Sequence, residues 1–204
     1  MHDDQHGTAI VVTAALINAA KVVQKKFEAL RVVISGAGAA GTAIAKLLLL
    51  AGIKDIVVLD SKGIIVRGRD RLPPHKEELA DMTNPRGVSG DITDALRGAD
   101  AVVGVSGPRI LTALHIQRMN KKPIVFALAN PTPEILPDEA KKGGAAVVAP
   151  GRSDYPNQIN NSLVFPGVFR GALDHKVQKI TDHMKLRAAK NLAALVKKPT
   201  AEKV

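Results

Sequence analysis

A chain of 204 residues with 46% hydrophobic content is long enough to bury a substantial core, yet it holds no Trp, one Tyr and four Phe. That core must be built from Val, Ile, Leu and Ala, which favours aliphatic strands packed against Ala-rich helices, and the lack of Cys excludes disulfide and thiolate chemistry and makes the cytoplasm the expected compartment. The formal charge of +10 falls mostly in residues 175–204 and in RGRDRLPPHKEE with almost no aromatics interleaved, so a solvated face is expected there and no nucleic-acid partner.

The chain opens on HDDQHGTA, with Asp3 and Asp4 between His2 and His6. Two adjacent carboxylates running straight into an apolar helix read like the inside of an active site rather than the edge of a domain. Residues 8–26 are Ala-rich and helical in pattern, RVVIS is a short aliphatic strand ending at Gly36, and residues 39–51 are again helical. DIVVLD is a second strand, followed by a polar excursion through Pro73 and Pro74, a short helix over 91–96, and ADAVVGVSG as a third strand. KPIVFALANP and AAVVAPG supply a fourth and a fifth, with a helix over 133–142 between them, and residues 155–196 read as helical. The longest apolar runs, such as LLLLAGI, fall far short of a membrane span, and the first residues are acidic, unlike a signal peptide's basic start. No membrane is therefore expected. Strands alternating with helices predict the α/β class: a Rossmann-like, doubly wound parallel sheet with helices on both faces, as a single domain over 1–204.

The most specific local motif is GAGAAG, between the first strand and the helix after it. In such a turn Gly36 permits the tight bend, Gly38 lets a pyrophosphate approach the backbone, and Gly41 lets helix and strand pack closely. Ala39 and Ala40 open the helix whose amino terminus faces the phosphates. Small residues also occur in ordinary strand-to-helix turns. Here, however, Asp60 ends the second strand about twenty residues on, where a carboxylate can accept bonds from the adenosine ribose hydroxyls. Asp60 favours NAD, although Ser61 and Lys62 could accommodate the 2′-phosphate of NADP.

Ligands of open parallel sheets bind beyond the carboxyl ends of the strands, and those ends carry GVSG and ANP. Small residues at the first let the nicotinamide half pass, and Asn130 offers an amide beside it. Taken alone, SG and NP are common turn dipeptides. In NQINNSLVFPG the amides of Asn160 and Asn161 read either as helix caps or as holders of a small carboxylate.

Taken in order, HDDQHGTA, GAGAAG, GVSG, FALANP and NNSLVFPG resemble the cofactor-binding domain of malic enzymes, particularly the short prokaryotic form, over essentially the whole chain. The resemblance implies oxidative decarboxylation of malate to pyruvate and carbon dioxide, with NAD or NADP and a divalent Mg²⁺ or Mn²⁺. It makes Asp4 a metal ligand with Asp3 its close neighbour, and His2 and His6 supporting residues. It places malate on Asn130 and Asn161 with Asn160 nearby. The cofactor is implied to lie on Gly36, Gly38, Ala39, Ala40 and Gly41, on Asp60 and Ser61, on Val105, Ser106 and Gly107, and beside Asn130.

At its front the chain departs from the family. Malic enzymes carry a Tyr and Lys acid/base pair and two more acidic metal ligands in a preceding domain, and Tyr155 lies in the wrong region for that role. The chain is expected to be a truncated half that needs the amino-terminal domain for turnover. Apolar surface left uncovered would favour a homo-oligomer. Two other readings stay open: a self-sufficient NAD-dependent dehydrogenase in which His115 or Lys122 does the proton work, and a non-catalytic nucleotide-binding module.

Overall fold

In a computed structural model that describes residues 1–204, the aliphatic runs form a six-stranded sheet in the order β3-β2-β1-β4-β5-β6. The strands are β1 (Arg31–Ser35), β2 (Asp55–Asp60), β3 (Gly63–Ile64), β4 (Ala101–Gly104), β5 (Ile124–Ala127) and β6 (Val147–Pro150). All neighbouring pairs are parallel except β2 with β3. β3 is a correction to the all-parallel expectation: the chain reverses tightly after Asp60, and Ile64 pairs back onto Leu59. Two residues carry too little periodicity to announce a strand.

Period-two alternation splits the strands' side chains between two cores. Val32, Ile34, Ile56, Val58, Val103 and Phe126 face one side, against helices α1 (Thr8–Val23), α2 (Ala39–Leu50) and α8 (Asp182–Leu195). Val33, Val57, Leu59, Val102 and Val125 face the other, against α4 (Ile92–Leu96), α5 (Ala113–Gln117) and α6 (Pro137–Lys142). α1 is buried nearly all round, and Asn18 fastens it to α8 by donating to the Ala193 carbonyl at 2.9 Å.

The helix including its leading turn, Asp3–Val23, spans 21 residues and holds an 18-residue window of mean hydropathy 1.5, so by length and composition it is apolar enough to cross a membrane. That corrects the reading of short apolar runs. Its apolarity is accounted for by packing, since 72% of the apolar window is buried inside the fold.

Several helices depart from their sequence patterns. The polar excursion contains α3 (Pro74–Met82), begun by proline at its first position, and Asp91 caps α4 rather than belonging to it. α6 begins at Pro137, not 133, because residues 133–134 run alongside the loop after β4: Arg109 N–H donates to the Pro133 carbonyl at 3.1 Å and Leu111 N–H to that of Glu134 at 3.0 Å. The continuous helix expected over 155–196 is broken into a 3₁₀ turn, Asn161–Leu163, then α7 (Phe165–Asp174) and α8. Pro156 and Pro166 remove amide donors, and Thr181 starts α8 as its cap.

Candidate functional site

The strand order reverses between β1 and β4, and the loops leaving those two strands meet there. Val105 N–H donates to the Ser35 carbonyl at 2.9 Å, and the Ser35 and Ser106 hydroxyls lie 3.3 Å apart. In open α/β sheets this crevice is where ligands bind.

The glycines of GAGAAG differ in what surrounds them. Gly36 has φ +120°, and a Cβ there would stand 2.6 Å from the Val105 carbonyl oxygen. A Cβ on Gly41 would run into the Gly36 carbonyl oxygen. These two are glycines because backbone passes against them. A Cβ on Gly38 meets nothing within 4 Å, although Gly38 lies at the amino terminus of the 12-residue α2, which has no side-chain cap. The first amides of α2 are therefore left without a side-chain cap at an electropositive helix end, beside exposed Gly38 and Ala39 and half-buried Ala40. That arrangement suits an anionic ligand.

Asp60, at the end of β2, is not a free carboxylate. Arg69 donates from both terminal nitrogens, at 3.1 and 2.6 Å, Lys76 donates at 2.6 Å, and the Lys62 N–H at 2.9 Å. Burial works against the charge of Asp60, but the bonds from Arg69 and Lys76 outweigh it and hold the carboxyl far below the usual range. Ser61 and Lys62 stay exposed, lining with Arg69 a cleft of about 700 Å³ bounded by Asp91. Within RGRDRLPPHKEE nothing local distinguishes Arg69 and Lys76 from the cations of a solvated face. Their side chains are only 19% and 21% exposed, because α3 folds Lys76 back over Asp60 and Arg69 bonds to the Gly63 and Ile64 carbonyls as well as to Asp60.

Beyond β5 and β6 a second cleft of about 550 Å³ is lined by Asn130, Arg152, Ser153, Asp154, Gln158 and Asn160 together with Pro131 and Gly151. Asn130 is exposed to it. Arg152 forms a two-pronged pair with Asp154 and donates to the Pro131 carbonyl. In the loop after β5, turned toward the loop after β4, lies Glu134, fully buried, with Oε1 accepting from Ser106 N–H at 3.0 Å and Oε2 from Ala129 N–H at 3.1 Å. Nothing in the sequence singled it out. A lone glutamate in PTPEI has no periodicity to set it apart.

Asp3 and Asp4 begin a five-residue π-helical turn, Asp3–Gly7. Asn161 donates its side-chain amide to Asp3 Oδ2, while Asp3 Oδ1 is buried with no hydrogen-bond partner. Asp4 is exposed. His2 N–H donates to His6 Nδ1 at 2.9 Å, and burial, together with nearby Lys185, keeps the His6 ring easily deprotonated. No group of three or more His, Cys, Asp or Glu residues comes together anywhere in the fold. The two adjacent amides part company: Asn160 caps the 3₁₀ turn through the Ser162 N–H at 2.9 Å, and Asn161 reaches Asp3. Of the alternatives for proton work, His115 is used as a cap, its Nδ1 accepting from Thr112 N–H, and Lys122 precedes β5, at the end of the sheet opposite the clefts. Tyr155 packs under Arg152, with 5.8 Å between guanidinium and ring centre.

Residues 5–204 match the family described as "Malic enzyme, NAD binding domain". The chain is 51% identical over 195 residues to the NAD-dependent malic enzyme of Geobacillus stearothermophilus, covering 96% of this chain and 41% of that protein. It is 46% identical over 206 residues to the NADP-dependent malic enzyme of Escherichia coli, covering 100% and 27%. It superposes on the NAD-dependent malic enzyme of Thermotoga maritima with a TM-score of 0.94 at 47% identity, over 100% of this chain and 54% of that one. The chain thus spans about half the length, or less, of the malic enzymes it matches. With the glycine turn at the strand-order reversal and this likeness over its whole length, the chain belongs to the malic enzyme family and corresponds to that family's NAD-binding domain.

Proposed function

We propose that this chain is the cofactor-binding half of a malic-enzyme active site, the enzyme that converts malate to pyruvate and carbon dioxide. The observation that carries the reading is the open space at Gly38 before the uncapped start of α2, framed by two glycines that cannot accept a Cβ. The Gly36 and Gly41 turn and the α2 amides hold the dinucleotide pyrophosphate. Asp60 and Ser61 hold the adenosine ribose, Val105, Ser106 and Gly107 flank the nicotinamide half, and Asn130 and Asn161 bind malate. Asp60 favours NAD, and because Arg69 and Lys76 already balance its charge, NADP is accepted as well.

Asp4 with Asp3 fits a hard divalent cation, Mg²⁺ or Mn²⁺. Both are oxygen donors, and Asp3 Oδ1 is a buried acceptor without a partner. Two carboxylates fall short of the roughly six oxygens such ions prefer, so further ligands come from a complementary half. A bound nicotinamide would supply the hydride acceptor for malate, and a bound divalent cation would supply Lewis acidity for its oxidation and decarboxylation. The chain's own residues bind and orient: Asn130 holds the substrate beside the nicotinamide loop, and Asn161 steadies Asp3. Neither His115 nor Lys122 faces the clefts, so the acid and base also come from the complementary half. Leu163 and Leu173, 60% and 74% exposed about α7, support burial of this face in an assembly, which we take to be a homo-oligomer of completed subunits in the cytoplasm.

The test is turnover. The purified 204-residue chain with malate, Mn²⁺ and NAD or NADP is expected to give no reduced cofactor, and mixing it with the complementary half of a related malic enzyme is expected to restore reduction. Robust turnover by the chain alone would overturn the two-half reading.

A further inference from the structure

We propose that Glu134 is a positioning residue that fixes the nicotinamide-side loop and the substrate-side loop relative to each other, acting through the Ser106 and Ala129 amides. The inference rests on the cofactor reading above and adds to it a residue that touches neither ligand.

Glu134 is 0% exposed, and both its oxygens accept from backbone N–H groups rather than from a cation. Burial pushes its carboxyl above the ordinary glutamate range, against which the amides of Ser106 and Ala129 pull down. A buried carboxylate without a counter-charge is an expensive way to fill space between two loops. An apolar side chain of the same size would pack there at less cost if packing were the whole task. The carboxylate also demands room from its neighbours: a Cβ on Gly104 would run into the Glu134 carboxyl group, so β4 must end in glycine. Two positions, 104 and 134, are thus committed to one arrangement.

What the arrangement joins gives it a function. Ser106 belongs to the loop that crosses the end of β1, and Ala129 immediately precedes Asn130, which opens onto the polar cleft. One rigid carboxylate, with one oxygen for each loop, sets the spacing of two segments that depart from different strands. The neighbouring backbone bonds, Arg109 to Pro133 and Leu111 to Glu134, bring the Glu134 backbone to the right place but reach neither Ser106 nor Ala129. Because Asp60 ends β2, which β1 separates from β4, and both Glu134 bonds go to the loops after β4 and β5, the adenosine half of the cofactor should sense Glu134 far less than the nicotinamide half.

That asymmetry supplies the test. Glu134→Gln keeps the size but turns one acceptor into an NH₂ group facing an amide N–H. NADH affinity, read by fluorescence titration, is expected to fall about 10-fold, the scale of losing one bond to a charged acceptor, while ADP-ribose affinity stays within about twofold. A second measurement needs no variant: in the wild-type chain, the ¹H–¹⁵N signals of Ser106 and Ala129 should shift with NADH and hardly move with ADP-ribose. If wild-type chain binds neither ligand, the cofactor reading itself fails. If it binds both and Glu134→Gln weakens them equally, or weakens neither, Glu134 is a fold residue only and the proposal is overturned. Should Glu134→Gln not fold, equal responses of the two amide signals to NADH and ADP-ribose would overturn it in the same way.

Discussion

Asn161 donates its side-chain amide to the Asp3 carboxylate across 158 positions of sequence, bringing the first turn of the chain against the segment that follows β6. The bond satisfies one Asp3 oxygen and leaves the other, Oδ1, buried and unpaired. Gly7 is part of the same junction: a Cβ there would meet Asp3 Oδ1 and lie 3.1 Å from Asn161 Cβ.

Asn161→Ala should therefore loosen the start of the chain as well as any substrate contact. We expect a loss of about 1–2 kcal/mol, with faster hydrogen exchange at the amides of Gln5, His6 and Gly7. Asp4→Ala, at an exposed position, should leave the melting temperature unchanged while abolishing the activity restored by a complementary half. An equal melting-temperature drop in both variants would contradict this division of roles.

Gly38→Val and Gly41→Ala should fail in different ways. Gly38 has room for a side chain and a φ of −81° that any residue adopts, so Gly38→Val should fold normally and lose dinucleotide binding, because the side chain occupies the path of the pyrophosphate. Gly41→Ala places a methyl against the Gly36 carbonyl and should lower the melting temperature, with lost binding a secondary effect. Calorimetry and nucleotide titration on the two variants separate the outcomes.

Asp60→Ala should shift cofactor preference toward NADP. It removes a ribose acceptor and frees Arg69 and Lys76, now paired with Asp60 at 2.6 Å, together with nearby Lys62, to meet a 2′-phosphate. The ratio of NADPH to NADH affinity is expected to rise at least about 10-fold, as for gain of one charge-assisted contact. An unchanged ratio would place the ribose elsewhere.

Two buried carboxylates should give opposite pH dependences of stability. The Asp60 carboxyl is held far below its unfolded value, so its stabilisation is present above the ordinary aspartate pKa of about 4 and is lost as pH falls through the folded value. Asp60→Asn should thus cost most near neutral pH and little in strong acid. Burial raises Glu134, so its neutral form adds stability that is full below the unfolded glutamate pKa of about 4.3 and declines as pH rises through the folded value. Urea midpoints measured across pH for Asp60→Asn and Glu134→Gln test both signs.

Much of this molecule could be read without coordinates. The parallel strands, the turn Gly36, Gly38 and Gly41, and Asp60 at the end of β2 follow from periodicity and from spacing along one short stretch, because each depends on residues near one another in sequence. Tertiary structure decided what distant residues do to one another. Arg69 and Lys76 look like solvated cations until the loop after β3 and α3 bring them onto Asp60. Asn160 and Asn161 are identical neighbours until one caps a turn and the other finds Asp3, and Glu134 is an ordinary loop glutamate until two strand ends close around it. Hydrophobic patterning dictates which face of a strand or helix is buried, and so it fixes the scaffold. The partners of a polar side chain are set by which loops the folded sheet brings together, and no local pattern encodes that.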